Sequence, residues 1–246
     1  VVRYNFLPKT SVFLMTSVRS VSYAEDTSGA LGPNGQEVAN SDSLPMRFLA
    51  GFNGLLAPRF SLLATMGYGG ASYDLGESAS TVIGQVEAGL DMGEVGNLNF
   101  GWERNIRDAI VANFVTMNRF YGRYTGSAGD LNFGFGAEAR LSSYSSATAA
   151  DGSEFEYWET DGEKRTDTSV RADAELGYGV TDWLTVGGRY APVMRFTDAK
   201  VAGTGDASIG FTNHRAFVFL ALHDIFRRPA GLSGVSGAGS DDYGLR

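Results

Sequence analysis

The chain has 246 residues, a formal net charge of -8 and no cysteine. That length suits one all-β domain better than two globular domains. The negative charge argues against a nucleic-acid partner, and the lack of cysteine excludes thiol catalysis, cysteine-based metal sites and disulfides. The 33 glycines, 16 phenylalanines and 11 tyrosines, beside 6 prolines, are typical of strands that turn sharply and carry aromatic rims.

The hydropathy of the chain excludes one kind of membrane segment. No run of about 18 apolar residues occurs, which argues against a transmembrane helix. A transmembrane β-barrel remains compatible with the mean hydropathy of -0.11, because its strands place apolar residues only at alternate positions. The chain opens in strand-like sequence without a signal peptide, as a mature protein and a fragment would both do.

Alternation of apolar and polar residues is the main signal along the chain. Between Leu131 and Ser142 the apolar residues fall on one face and the polar ones on the other, and 169–178 repeats the pattern. Many such runs have 12 or more residues, whereas a membrane-spanning strand needs about 9–11. The pattern predicts strands at 1–7, 10–24, 44–56, 59–74, 80–92, 97–109, 111–126, 130–145, 167–180, 183–198 and 208–226.

The predicted connections alternate in length. Short connections followed by long loops are the arrangement of outer-membrane barrels, with turns on the periplasmic side and loops outside. The connection near Arg107-Asp108 belongs to the long set by position but is short. The short set comprises Pro8-Lys9, Ala57-Pro58-Arg59, 93–97, 126–130 and Thr181-Asp182; the longer or more polar set comprises 25–43, 75–80, 151–166 and 199–206.

The two faces of the predicted strands have separate roles in a barrel. One face carries charges of both signs, which set solute selectivity if the lumen is open or form a salt-bridged core if it is narrow. We expect these charged residues to face the lumen: Arg19, Arg47, Glu87, Asp91, Glu103, Arg119, Arg123, Glu138, Arg140, Arg171, Asp173, Glu175 and Arg189. We expect these apolar residues to face lipid: Leu131, Phe133, Phe135, Val170, Ala172, Ala174, Leu176, Leu184 and Val186.

Aromatic residues lie near the predicted strand ends, where amphipathic rings suit the level of lipid headgroups. They could instead pack at the ends of a soluble barrel. The predicted interface aromatics are Tyr23, Tyr73, Tyr124, Tyr144, Tyr178, Trp183 and Tyr190. The last predicted strand closes on Phe226, as terminal strands of outer-membrane proteins do, but residues 227–246 follow it and are predicted to form a flexible Gly/Ser-rich tail.

Three segments resemble the β-barrel porin 2 class of bacterial outer-membrane proteins. They are YNFLPKTSVFLMTSVRSVSY at 4–23, MRFLAGFNGLLAPRFSLLATMGYG at 46–69 and GWERNIRDAIVANFVTMNRFYGRY at 101–124. The resemblance extends over most of residues 1–226. It implies an outer-membrane barrel, often associated with polysaccharide or envelope functions, and supplies no catalytic or ligand-binding residue.

Features that could indicate chemistry are weak. His214 and His223 lie nine apart on one predicted strand, which does not suit a metal pair. A Ser-His-Asp hydrolase is disfavoured because neighbouring His223 and Asp224 point to opposite faces of a strand and no G-x-S-x-G motif occurs. The glycines at 67–70 lack the Lys-Ser/Thr of a phosphate loop. The acidic stretch 151–167 could bind a divalent cation, although a solvated loop is the simpler interpretation.

The sequence therefore predicts an all-β fold, an antiparallel up-and-down transmembrane β-barrel in the bacterial outer membrane, without catalysis or cofactor. The expected function is a porin-like channel or export conduit for hydrophilic solutes. A structural anchor of an envelope complex, for example in polysaccharide export, and a soluble ligand-binding barrel or sandwich are the alternatives. Expected partners are outer-membrane lipid, lipopolysaccharide and other envelope proteins.

The number of predicted strands is odd, whereas single-chain bacterial barrels have even numbers. An odd open sheet would leave an unpaired edge in lipid, where each orphaned backbone group costs several kcal/mol. The short turn at Pro8-Lys9 also places Val1 toward the external side. We therefore expect at least 12 strands in the complete barrel, with one or more upstream strands absent from this sequence or supplied by another chain.

Overall fold

The computed structural model describes residues 1–32, 35–109, 111–156, 164–200 and 209–222. Within these ranges the protein is all-β, apart from one turn of 3-10 helix at Gly93–Val95. The strands are β1 (Val2–Leu7), β2 (Thr10–Val18), β3 (Thr27–Leu31), β4 (Glu37–Ala39), β5 (Ser43–Ala57), β6 (Phe60–Tyr73), β7 (Ala79–Asp91), β8 (Asn97–Asp108), β9 (Phe114–Ala128), β10 (Leu131–Tyr144), β11 (Ala147–Thr148), β12 (Glu154–Phe155), β13 (Thr166–Thr181), β14 (Leu184–Tyr190), β15 (Val193–Thr197), β16 (Phe211–Asn213) and β17 (Ala216–Leu222).

Thirteen of the strands form one antiparallel sheet. Its order is β1-β2-β5-β6-β7-β8-β9-β10-β13-β14-β17, so each strand pairs with the next long strand along the chain. Strands β14 and β15 follow one another along β13, and the Pro192 carbonyl between them still accepts a hydrogen bond from Ala172 N at 3.1 Å. Strands β16 and β17 continue alongside them in the same way. The predicted up-and-down antiparallel fold is confirmed.

The two-residue turns lie at one end of the sheet and the longest connections at the other, although connection 74–78, predicted to be long, is no longer than 92–96, predicted to be short. We call the end with the tight turns the turn end, where Pro8-Lys9, Pro58-Arg59 and Asp182-Trp183 join neighbouring strands. We call the opposite end the loop end, where the longest connections lie between β2 and β5 and between β10 and β13. Strand β2 ends at Val18 rather than at 24, since the chain beyond it turns into these loop contacts.

The turn between β7 and β8 shows how the sequence fixes one tight connection. Asp91 Oδ1 accepts a hydrogen bond from Gly93 N at 2.8 Å, and Met92 N donates to Gly96 O at 2.8 Å. Gly96 has a φ of 134° and lies directly against the backbone of Thr125 and Gly126. A residue with a Cβ would be strained there and would overlap the Thr125 carbonyl oxygen, so this turn requires glycine.

The sheet is open. Its edges are β1 and β17, and within the described residues these two strands do not pair. Both edges carry exposed apolar side chains, including Tyr4 and Leu220. The expectation of additional strands stays a prediction. The predicted tail 227–246 and the end of the last predicted strand, beyond Leu222, lie outside the described residues.

The two faces of the sheet differ in polarity. On one face, which we call the apolar face, large side chains stand exposed, including Met66 at 68%, Leu176 at 53% and Val218 at 85%. On the other, the charged face, Glu103 pairs in register with Arg119, and Glu138 with Arg171. On the strands nearer β1 the charged face is less polar: the Phe13 ring covers Gly51 there.

A small core lies toward the loop end. Ala71, Ala79, Ile83 and Ile106 are buried together, and Tyr73 packs against them among the half-buried neighbours. Strand β8 stops pairing with β7 beyond the Gly84–Arg104 pair, so Ile106 turns toward this cluster instead of continuing the apolar face. This core is small, and the large side chains of the apolar face are not covered by other described residues.

Close strand packing gives a first prediction. A Cβ added at Gly67 would overlap the Phe48 carbonyl oxygen and lie 2.8 Å from Leu49 Cα. Because this contact is with backbone, the β5–β6 pairing must shift, and we expect Gly67→Ala to lower the free energy of unfolding by about 1–3 kcal/mol. The measurement is a urea titration of the protein folded in detergent or vesicles.

Gly122→Ala provides the matched control. A Cβ at Gly122 meets nothing closer than 3.9 Å. Alanine there reduces the freedom of the unfolded chain, so we expect a neutral change or a gain of about 0.4–1 kcal/mol. Equal free energies of unfolding for the two variants would contradict the packing between β5 and β6.

Candidate functional site on the charged face

The register of the long strands places twelve of the thirteen predicted lumen residues on the charged face, and the thirteenth, Arg19, directly follows β2. The pairs Arg47–Gly69, Gln85–Glu103 and Glu103–Arg119 link the face from β5 to β9. The next pairs continue it through β10 and β13 to Arg189 of β14. The predicted residues therefore share one surface. Whether these residues line a lumen stays a prediction, because the sheet is open within the described residues.

Glu138 lies at the centre of one cluster on this face. Its Oε2 accepts from Arg119 Nε at 2.8 Å and its Oε1 from Arg140 Nη2 at 3.0 Å. Arg119 also lies 3.6 Å from Glu103, and its guanidinium stacks 4.5 Å above the Tyr121 ring. The Glu138 side chain is 15% exposed, so two arginines largely cover this carboxylate.

Asp173 repeats the arrangement on the next strand. Its Oδ2 accepts from Arg123 Nη1 at 2.8 Å and lies 3.9 Å from Arg189 Nη2. The Asp173 side chain is 14% exposed, whereas Arg123 and Arg189 remain 43% and 45% exposed. Each of the two carboxylates is therefore nearly hidden, and the guanidinium groups around it face solvent.

Other predicted residues lie around these clusters. Tyr121 donates a short hydrogen bond to Glu87 and accepts from Gln85 Nε2 at 3.2 Å. Arg171 and Glu175 stand on β13 on either side of Asp173, in register with Glu138 and with Gly134. Asp91 lies at the turn end of β7. We call Arg119, Arg123, Arg140, Arg171 and Arg189 the arginine strip. The arginines of this strip that pair with Glu138 or Asp173 are more exposed than those two carboxylates.

A second group of charges lies at the loop end. Arg19 pairs with Asp108 at 3.3 Å, and the Tyr73 hydroxyl donates to the same carboxylate at 2.7 Å. Arg47 Nη2 donates to the Ile106 carbonyl at 2.9 Å, where β8 has left β7. These contacts join β8 to β5 and to the residue that follows β2, although neither β2 nor β5 neighbours β8 in the sheet.

The most buried ion cluster was not anticipated from the sequence. Arg165 Nη2 lies 2.7 Å from Asp167 Oδ2, with side-chain exposures of 7% and 3%, and Arg195 contacts the same carboxylate. The Arg165 guanidinium also stacks 4.5 Å above the Tyr144 ring. The alternation assigned Asp167 only to a strand end, and no pattern within the sequence paired it with Arg195.

The long connections form a compact assembly at the loop end. We call it the loop cap; its described parts are 19–32, 35–42, 74–78, 111–113 and 145–156. Short hairpins lie within it, β3 with β4 and β11 with β12. A bridge between Val38 and Ala149 joins the two hairpins, which belong to connections far apart in the chain.

Buried polar contacts hold the loop cap together. Asn113 Nδ2 donates to Leu75 O at 2.8 Å, and its Oδ1 accepts from Thr148 Oγ1 at 3.2 Å. Ser41 Oγ contacts Leu75 as both donor and acceptor. At its exposed rim, hydrogen bonds from Ser22 Oγ and the backbone N–H of Tyr23 hold the pKa of Asp42 below its usual value.

The predicted lipid-facing residues occupy the apolar face. Their register runs continuously across three strands, for example from Phe135 to Ala174 to Tyr190. The nine are Leu131, Phe133, Phe135, Val170, Ala172, Ala174, Leu176, Leu184 and Val186. Whether lipid contacts them stays a prediction.

The predicted interface aromatics do not lie at one level of the sheet. Tyr124, Tyr178 and Trp183 lie at the turn end. Tyr190 lies at the end of β14 and stacks on His214, with a 2.6 Å contact to its Nδ1. Tyr73 and Tyr144 instead pack among the charges of the loop end, and Tyr23 lies in the loop cap. The headgroup-level role stays a prediction for the whole set.

Within the described ranges, no group of three or more His, Asp or Glu side chains could hold a metal ion. His223 and Asp224 lie outside these ranges, as do residues 157–163 of the acidic stretch. Among the helical residues described, none belongs to a helix long and apolar enough to cross a membrane.

The fold and this surface define an all-β protein with a long antiparallel meander and one charged face. No family model matches the chain, and no curated protein matches its sequence. Among solved structures, the copper transporter OprC is similar, with a TM-score of 0.42 and 11% identity over 86% of this chain and 38% of that one. The chain thus spans well under half of that protein, and a likeness at this level assigns neither family nor function.

Proposed function

We propose that this protein is a β-barrel channel for hydrophilic solutes in the bacterial outer membrane, in which the charged face lines the aqueous path. The opposite polarity of the two faces on the strands from β7 to β14 carries the proposal. A barrel built from this sheet would turn the apolar face to lipid and keep the ion pairs in water.

The exposed apolar face supports the membrane location. Soluble monomers rarely expose contiguous apolar patches larger than a few hundred Å². Here large apolar side chains stand exposed on strand after strand, from Leu14 on β2 through Phe48 and Phe120 to Leu220 on β17. A soluble sandwich would place a second layer on this face, and none covers it within the described residues.

The arginine strip supports a preference for anionic solutes. Two of its carboxylate partners, Glu138 and Asp173, are covered by pairs of arginines. Rings or rows of arginine on a pore wall favour anions. The solute we propose is therefore small, hydrophilic and negatively charged.

A second function, the anchor of an envelope complex, is favoured by the loop cap. Its buried contacts lie at the end where solute would enter, and they give the opening a fixed structure rather than open loops. An occluded barrel could then serve chiefly to hold other envelope proteins.

Single-channel recording separates the two functions. Purified protein reconstituted in planar bilayers is expected to show discrete conductance steps with a higher permeability to chloride than to potassium. Protein that inserts, as shown by protection from added protease, but gives no conductance would favour the anchor.

A further inference from the structure

Among the residues that the structure describes, Arg104 is an arginine on the apolar face. Arg104 of β8 is in register with Gly84 of β7 and Asn118 of β9, and it continues the row of outward residues formed by Phe100 and Trp102. Twelve of the thirteen predicted lumen charges fall on the opposite face. Arg104 therefore stands where the proposed barrel would meet lipid.

The hydrogen-bond partners of Arg104 are neutral. Its Nε donates to Val82 O at 3.2 Å, its Nη1 to Asn118 Oδ1 at 3.3 Å and its Nη2 to Thr81 Oγ1 at 3.2 Å. These contacts use three of the five N–H donors of the guanidinium. In the described part of the chain no ion pair joins it to a carboxylate, in contrast to the arginines of the charged face that pair with Glu138 and Asp173.

An apolar groove adjoins this arginine. It has a volume of about 690 Å³ and extends across the apolar face from β1 to β8. Val82, Gly84 and Trp102, which surround Arg104 on β7 and β8, contribute to its wall, with Met66 and Val86 beside them. Ligand sites of this kind are mostly apolar and have a few polar groups that orient the ligand.

Arg104 also marks the upper limit of the apolar belt. Toward the loop end, the next outward positions are polar: Thr116 follows Asn118 on β9, and Ser80 follows Val82 on β7. Toward the turn end they are apolar, beginning with Trp102. In a membrane this boundary corresponds to the level at which acyl chains give way to headgroups.

We propose that Arg104 and Asn118 bind the phosphate of an acylated, phosphate-bearing lipid of the outer leaflet, and that the groove holds one of its acyl chains. The proposal rests on the proposed membrane barrel. A guanidinium without a carboxylate partner is costly near hydrocarbon. Phosphate oxygens could take the remaining N–H donors in a charge-assisted, two-pronged contact.

The test uses full-length protein in detergent, with native mass spectrometry as the readout of lipid binding. The probes are diphosphorylated lipid A, the same lipid after removal of both phosphates, and inorganic phosphate. We expect the phosphorylated lipid to bind best, and Arg104→Gln to weaken its binding at least about tenfold, as the loss of a charged hydrogen bond does. Arg171→Gln on the charged face is the matched control and should bind like the wild type.

The other outcomes overturn the proposal in distinguishable ways. Equal binding by Arg104→Gln and the wild type would leave Arg104 as a structural cap of the Val82 carbonyl. Equal binding of the dephosphorylated lipid would reduce the site to an acyl groove, and equal binding of inorganic phosphate would make it a free-anion site. If Arg104→Gln does not fold, the comparison of probes on the wild type still decides. Conductance is recorded separately, so loss of channel activity does not change this result.

Discussion

Ala174→Arg is expected to lower the free energy of unfolding in phospholipid vesicles by about 2–4 kcal/mol if Ala174 lies near the midplane. Ala174 lies on the apolar face in the middle of β13, between Phe135 of β10 and Tyr190 of β14. An arginine there must enter hydrocarbon or bend toward the headgroups. The measurement is a urea titration of folding and unfolding in vesicles.

Asn99→Arg is the control on the charged face. Asn99 is exposed on β8 and is in register with Arg123, which forms an ion pair with Asp173. Asp173 itself would be a poor control, because its replacement removes a carboxylate that two arginines share. An added guanidinium at Asn99 stays in water, so its cost should remain within about 1 kcal/mol. Equal costs at Ala174 and Asn99 would argue against a membrane barrel.

Replacing Arg119, Arg140 and Arg171 together by glutamine is expected to reverse the charge preference of the channel. All three surround Glu138, the first two by ion pairs and the third in register with it. With salt screening, a unit charge about 8 Å from a permeating ion contributes about 0.2 kcal/mol, with opposite signs for a cation and an anion. Removing the three charges should therefore shift the ratio of cation to anion permeability by roughly tenfold. The reversal potential across a KCl gradient measures this ratio.

Arg104→Gln removes one positive charge from the opposite face and serves as the control for selectivity. Its reversal potential should match that of the wild type. A conducting triple variant with an unchanged reversal potential would show that the arginine strip does not line the permeation path.

The periodicity of the sequence was sufficient to predict the meander and the composition of both faces. Side chains alternate strictly along a strand, so Leu131 to Leu141 and Arg171 to Glu175 could be assigned to faces without knowledge of any partner strand. The charged clusters could be predicted only as a set. Which arginine pairs with Glu138 depends on the register between strands, which the turns determine and which alternation alone does not specify.

Three features escaped prediction because they depend on contacts distant in sequence or on a break in the sheet. Arg165 and Arg195 meet at Asp167 only after β13 and β15 have paired. Ile106 leaves the apolar face because β7 and β8 separate beyond Arg104. Arg104 itself has a signal in the sequence, since it is a single charge in phase with the apolar Phe100 and Trp102.

The loop cap has a consequence for any reagent that binds it. The Val38–Ala149 bridge and the contacts of Asn113 with Leu75 and Thr148 unite segments from separate hairpins. A surface made in this way does not exist on any one hairpin, nor on a chain that has formed only its first strands. An antibody directed at the cap would therefore recognise a conformational epitope, and its binding would report that β2 through β13 have assembled correctly.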